Sequence, residues 1–383
     1  MDLLILLLLC VYPLGQLPKI FLGFHLIDVI VVLVTVFMVV EKFKSSNIPI
    51  TYRIKEIYKK YKNISLFLFA SLFSLLVSFV FGAIDIFGVL YLFRFWVYLT
   101  FVLFFPVKKK GKSFVLLSLV IVAVVIALYG WLQYLLFPDL TNLIYFGWDD
   151  HYYRLVSTFI DPAFTGILLV LGTLSALAYV AVSKRSFLIG IVVFLMISLA
   201  FTYSRASFIS LILGYFVFLW KKNKTAFFAL IFLFFFFVVL LPSPGGEGVK
   251  LGRTSSIQQK IDNYKESLKI ISHSPLFGVG YNNICKVKRL IGIDISRQYH
   301  SCYGLDNSFL LIWAANGIVG LIGFIVYINS LTKNTTEDIY GRLFNASGLA
   351  VFFHSFFTNT IFYTWIIVWL AFLASISRFR ESS

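Results

Sequence analysis

Apolar segments able to cross a hydrocarbon layer of ~30 Å follow one another along almost the whole chain, and nothing constrains its fold more. They run over Leu3 to Leu17, Ile20 to Val40, Ile64 to Phe81, Phe87 to Val107, Phe114 to Phe137 and Ala163 to Val182. The second half continues with Phe187 to Tyr203, Ala206 to Trp220, Thr225 to Leu241, Ser308 to Leu331, Leu343 to Phe357 and Ile361 to Ile376. The first and eleventh are short for a crossing. With 60% hydrophobic and 13% charged residues and a mean hydropathy of +0.91, a water-soluble domain of 383 residues is excluded. Only helices satisfy the backbone inside lipid without closing a barrel, so the fold class is all-α, a polytopic membrane protein of about 12 transmembrane helices.

The formal charge of +16 does not point to nucleic acid, because 20 of the 33 Lys and Arg sit in short clusters between apolar runs. These clusters are Lys42 to Lys62, Lys108 to Lys112, Lys184-Arg185, Lys221 to Lys224, Lys333 with Arg342, and Arg378 with Arg380. They fall on alternate connections, which the positive-inside rule places in the cytoplasm together with both termini. The remaining connections are then external. The start, Met1-Asp2 before Leu3 to Leu9, lacks a basic region and a small-residue cleavage site, so it reads as a retained first helix.

One polar interruption stands out, Pro242 to Leu305, with nine Lys/Arg against four Asp/Glu and two of the three cysteines. Inside it Ile257, Ile261, Tyr264, Leu268 and Ile271 recur at helical spacing, which predicts an amphipathic helix over Thr254 to Ser272 with Ser255 and Ser256 capping its first turn. A helix wet on one face and apolar on the other belongs at a boundary. Arg253 precedes its N-terminus, where free N–H groups already favour an anion. Cys285 and Cys302 could pair in an oxidising compartment or remain two buried thiols; the cysteine spacing offers no metal site. Asp28, Arg94 and His354 lie within apolar segments, where charges are costly and serve as function or as hydrogen-bond partners. Arg205 occupies a turn of a few residues, which presents it at the external surface.

Four local patterns then line up on that side. They are Arg154 with Ser157-Thr158-Phe159-Ile160-Asp161-Pro162; Thr202-Tyr203-Ser204-Arg205-Ala206-Ser207; Pro275-Leu276-Phe277-Gly278-Val279-Gly280-Tyr281-Asn282-Asn283; and Asp306-Asn307-Ser308-Phe309-Leu310 continuing to Gly317-Ile318-Val319-Gly320-Leu321. In this order, with a long loop after the ninth span, the chain resembles the O-antigen ligase and O-antigen polymerase (Wzy-like) family of integral-membrane glycosyltransferases. The resemblance implies a GT-C type fold over residues 1–383, with 242–305 a periplasmic loop between spans nine and ten. It implies a bacterial inner-membrane enzyme that uses an undecaprenyl-diphosphate-linked glycan donor and a glycan or lipid-linked acceptor, without metal, cofactor or nucleotide sugar. By position, the resemblance implies that Arg205 and Arg253, with Arg154 as a third candidate, take the diphosphate. Membrane lipid, and a chain-length regulator or flippase, are the other partners expected.

The chemistry suits these residue types. A sugar on a diphosphate lipid carries its own leaving group, so the main requirement is to stabilise charge growing on the diphosphate, which guanidiniums do with permanent, bidentate contacts. The acceptor hydroxyl needs one base within hydrogen-bond reach. Family ligases carry a His-Asn pair before the tenth span; here the pair is Asp306-Asn307, so the base is Asp306 or the upstream His300, while Asp306 can equally be a helix cap. The missing pair favours polymerase over ligase. Asn307, Tyr281 and Asn282 are the acceptor or sugar contacts, although Gly278 and Gly280 around them can be plain turn formers. A transporter of a lipid-linked sugar or anion is the competing class; no internal repeat supports it.

Overall fold

The computed structural model describes residues 2–21, 23–44, 50–80, 86–105, 111–146, 149–293, 302, 304–333 and 335–377. It is helical almost throughout. Among the described residues the helices are α1 (Asp2–Val11), α2 (Leu26–Lys44), α3 (Ile50–Val80), α4 (Ile86–Phe104), α5 (Lys112–Leu136), α6 (Pro162–Ser183) and α7 (Ile189–Ala200). They continue as α8 (Arg205–Leu219), α9 (Lys224–Val239), α10 (Ser255–His273), α11 (Ile284–Leu290), α12 (Ser308–Lys333), α13 (Ile339–His354) and α14 (Thr364–Ser377). The only strands described, Lys19–Phe21 and Phe24–His25, form a short antiparallel hairpin. Each apolar segment of the sequence coincides with one helix, and α10 and α11 belong to the polar interruption. By length and apolarity alone, four of the helices described, α4, α5, α6 and α12, suffice to cross a membrane.

Helix α6 is apolar on every side and is buried from Thr165 to Ala178, packed by α5, α7, α8 and α13. A helix without a polar face belongs at the centre of its bundle. Around it, Phe69, Leu76 and Phe79 of α3, Leu128 and Leu135 of α5 and Phe232 of α9 remain exposed, an apolar girdle that water would not tolerate. Asp161 caps α6 by accepting from Ala163 N (2.6 Å) and Phe164 N (2.8 Å), and Asn307 caps α12 by accepting from Phe309 N (2.8 Å) and Leu310 N (3.1 Å). The N-termini of α6, α8, α12 and α14 share one end of the bundle with the C-terminus of α13. Lys184-Arg185, Lys221, Lys222, Lys224, Lys333 and Arg342 lie at the opposite ends of these helices or on the turns that follow them.

The polar interruption is folded, not slack. Helix α12 breaks at Gly317 (φ 68°, ψ −179°), a backbone conformation open essentially to glycine. The break frees carbonyls that the Pro275–Gly280 stretch occupies: Val279 N donates to Ala314 O (2.8 Å) and Gly280 N to Ala315 O (2.9 Å). Ile318 N returns a bond to Pro275 O (3.0 Å). Gly278 (φ 77°) permits the turn between them. Ile270, Ile271, Val279, Ile284 and Val287 then form a small second core on Leu311 and Ala314 of α12. Cys285 and Cys302 are disulfide-bonded, and Lys288 reaches Glu266 at 2.7 Å, joining α11 to α10. The role of Gly317 is to open α12 for the loop.

Gly317→Ala should cost at least ~2 kcal/mol, because the position requires a positive φ and the new Cβ would stand 2.0 Å from Leu276 O. Thermal unfolding in detergent checks this against Gly190→Ala, where a Cβ meets nothing within 4 Å and no loss is expected.

Candidate active site at the capped end of the bundle

Three arginines converge on the turn between α7 and α8. Arg154 Nε donates to Thr202 O (3.1 Å) and Arg253 Nη2 to Tyr203 O (3.3 Å). Arg205, the first residue of α8, reaches the other way: its Nη1 donates to Leu251 O and Arg253 O (both 3.1 Å) and its Nη2 to Ser256 Oγ (2.6 Å). Arg253 Nη1 completes the set with Gly248 O (2.7 Å) and Lys250 O (2.9 Å). Gly248 also backs Arg154, since a Cβ there would lie 3.0 Å from its Cδ. Backbone carbonyls hold all three side chains, and among the described residues none is paired with a carboxylate.

Gathering like charges in a partly dehydrated recess disfavours their charged forms. Lost hydration first, and then the neighbouring Arg253, push Arg154 down to about 10, while lost hydration and Arg205 lower Arg253. Both terminal nitrogens of Arg154 have no hydrogen-bond partner among the described residues, so its fork is available to an anion.

Facing the arginines is a band of carboxylates. Asp306 pairs with Lys260 of α10 (2.9 Å), and its backbone N donates to Asn263 Oδ1 (2.9 Å). The cap of α12 is Asn307, so Asp306 is not the cap; its side chain is about 40% exposed. Asp149 is open to solvent yet walled by protein, as in a cleft; lost hydration and then Asp161 raise its carboxyl, with a smaller contribution from Asp306. Asp161 is raised by burial against the opposing pull of its two cap N–H bonds. Beneath them runs a buried chain, Ser204 Oγ to Ser207 Oγ (2.8 Å), Ser207 Oγ to His354 Nε2 (3.0 Å), and His354 Nδ1 to Thr360 Oγ1 (2.7 Å).

Helix α10 closes this end like a bar. Ser256, Lys260, Asn263 and Tyr264, one face at steps of three and four, reach Arg205, Asp306, the Asp306 backbone and Phe356 O. Ser256 spends its hydroxyl on Arg205, and no side chain caps α10, contrary to the Ser255/Ser256 cap expected from sequence. His273 Nδ1 bonds Lys269 O (2.8 Å) at the helix C-terminus.

The sequence candidates therefore divide. Arg154, Arg205 and Arg253 are together, with Asp306 across from them through Lys260. Asn307 is buried and committed to capping. Tyr281 and Asn282 line a different recess, beside Arg94. His300 lies outside the described residues. Lys260, Asp149 and His151 escaped the sequence reading, because each is an ordinary polar residue of a loop or helix until folding brings it to the arginines. His151 is 5% exposed with both ring nitrogens unpartnered, and burial together with Arg154 lowers it to about 4. Among the described residues no group of His, Cys, Asp and Glu could hold a metal ion.

The fold and this recess define an α-helical integral membrane protein with an anion-receptive site at one end of its bundle. Residues 190–325, about a third of the chain, match the O-antigen ligase family model. The matched stretch contains Arg205, Arg253, Asp306 and the break of α12 at Gly317, while Arg154 and Arg94 precede it. No curated protein matches the chain.

His151 is neutral in the fold and charged when unfolded at mildly acidic pH, so its stabilisation is complete above about 6.5 and lost as pH falls towards about 4. About 3 kcal/mol should disappear over that window. Melting curves against pH should show His151→Leu to be distinctly less acid-sensitive than the wild type.

Proposed function

We propose that the protein is a metal-independent GT-C type glycosyltransferase of the bacterial inner membrane. In this reading it crosses the bilayer twelve times, with both termini cytoplasmic, residues 242–305 on the periplasmic side and 1–383 as one transmembrane domain. It joins undecaprenyl-diphosphate-linked oligosaccharide repeats into a surface polysaccharide. The observation that carries this is the trio of guanidiniums without a carboxylate partner, two of which, Arg205 and Arg253, lie on the stretch that matches the family model. The Cys285–Cys302 disulfide agrees with a periplasmic loop, since such bonds persist in oxidising compartments.

Chemically, Arg154, Arg205 and Arg253 take the donor diphosphate and stabilise the charge that grows on it as the anomeric bond breaks. Asp306 accepts the proton of the acceptor hydroxyl, with Lys260 fixing its carboxylate. The hydroxyl oxygen bonds to the anomeric carbon, and the lipid diphosphate departs with the bonding pair. A ligase reading, with transfer of the finished glycan to a lipid A core or another terminal acceptor, is the second possibility, favoured by the description of the matched family.

Detergent-purified protein incubated with a lipid-linked repeat unit should give a ladder on a gel. A single shifted band formed only with a terminal acceptor would establish the ligase, and absence of both would end the glycosyltransferase reading. Arg253→Ala and Arg205→Ala should each lower turnover by about 10²-fold or more, with Lys restoring only part because the bidentate fork is lost. Thermal melts separate this from loosening of the loop that Arg205 also ties down. Asp306→Asn should reduce turnover strongly while leaving donor binding intact; unchanged turnover would remove Asp306 from the base role.

A further inference from the structure

A second recess, about 260 Å³, opens between α4, α12, α14 and the Tyr281-Asn282 turn. Its wall is aromatic. Tyr281 stacks on Phe95 with ring centres 5.5 Å apart and planes 16° apart, and Phe362 stands 5.2 Å from Phe95 and 5.8 Å from Tyr281. Its polar groups are Arg94, the amides of Asn282 and Asn359, and the hydroxyls of Tyr91, Tyr98, Tyr281 and Thr364. Arg94 differs from the arginines of the other recess: Nε donates to Asp28 Oδ1 at 2.8 Å, so a carboxylate already balances its charge. Nη2 donates to Thr364 Oγ1 (2.7 Å), and Nη1 has no hydrogen-bond partner among the described residues. The carboxamide oxygen of Asn359 is buried and unpartnered, so the protein leaves that amide with bonding capacity to spare.

These features select a class of ligand. A neutralised guanidinium, two amides and flat apolar rings suit a neutral molecule with hydroxyls at its rim and C–H faces above and below, and do not concentrate anions. The volume lies just under the ~300–1,000 Å³ of drug-sized ligand sites, which leaves room for one ring and not for a lipid chain. We propose that this recess binds a single sugar residue of the acceptor glycan. Its position supports the acceptor side: Gly304, two residues before Asp306, lines it, as does Leu311 in the second turn of α12. Asp306 thus stands between a neutral aromatic recess and the cationic one. The acceptor assignment rests on the glycosyltransferase reading; binding of a sugar does not.

Saturation-transfer NMR on the full chain in detergent, with the methyl glycosides of glucose, galactose, N-acetylglucosamine and N-acetylgalactosamine, tests this. At least one glycoside should give a signal, and Asn359→Leu and Asn282→Ala should each reduce it at least fivefold in protein whose melting temperature is unchanged. Tyr281→Phe, which keeps the ring, should retain most of it. Arg205→Ala should leave the signal intact, and inorganic diphosphate should not displace the glycoside. No binding of any glycoside, displacement by diphosphate, or equal binding by both cavity variants would overturn the proposal. In the ladder assay Asn359→Leu should raise the acceptor KM at least fivefold with a smaller effect on kcat. If no transfer is seen while the glycosides bind as expected, the sugar site stands and the enzymatic reading fails.

Discussion

Guanidiniums held by carbonyl dipoles, and not by carboxylates, are the constraint from which the rest of this structure follows. A carboxylate within reach of Arg154, Arg205 or Arg253 would lower the cost of bringing them together and would also occupy the fork that an anionic ligand needs. Carbonyls satisfy N–H donors without cancelling the charge. The required carbonyls come from Thr202 and Tyr203 on one side and from Gly248, Lys250, Leu251 and Arg253 on the other. The loop after α9 must therefore fold back onto the α7–α8 turn. Its close approach explains Gly248, where a side chain would press on Arg154.

That fold-back needs a second anchor, and the break in α12 supplies it. A continuous α12 would have used the carbonyls of Ala314 and Ala315 within itself. With Gly317 out of helical geometry, they receive Val279 and Gly280 and hold the far end of the loop against the bundle. The N-terminal half of helix α10 is thus fixed at two points, through Ser256 and Arg205 to α8 and through Lys260 and Asn263 to the start of α12. The distance between the cationic recess and Asp306 is consequently set by a rigid helix and not by a loose chain.

Much of this was legible before folding, and what was not has a physical reason. Apolar periodicity located every helix of the bundle, because lipid and core impose the same requirement on each. Arg205 was conspicuous because a short turn between apolar runs has few reasons to hold an arginine, and Arg253 because it precedes a helix start. The Gly-Val-Gly and Gly-Ile-Val-Gly patterns were visible, but their mutual bonding was not, since it joins backbone groups and backbone groups leave no mark on sequence. The same holds for Asp306 and Asn307: either could cap α12, and only the direction in which the chain enters the helix assigns the cap to Asn307 and frees Asp306 for Lys260. His300 falls outside the described residues, so Asp306 is the base candidate whose surroundings are seen.

The orientation of α10 reverses what water would select. Ser256, Lys260 and Asn263 turn inward to the recess, while Ile257, Ile261 and Leu268 are 43–53% exposed on the outside. In a water-soluble protein that arrangement would lose most of the transfer free energy of three large side chains, of the order of 1.5–3 kcal/mol each. At the rim of a bilayer the cost disappears, because the apolar stripe meets the headgroup and acyl boundary while the polar face lies over a hydrophilic site. The sequence predicts a boundary helix here, and in the structure its polar face turns to the recess while its apolar stripe turns away from it. Under the function proposed above, the same bar that fixes Arg205 and Asp306 lies beside the layer in which the donor's prenyl chain is dissolved, so the lipid-linked diphosphate reaches the arginines without leaving the membrane.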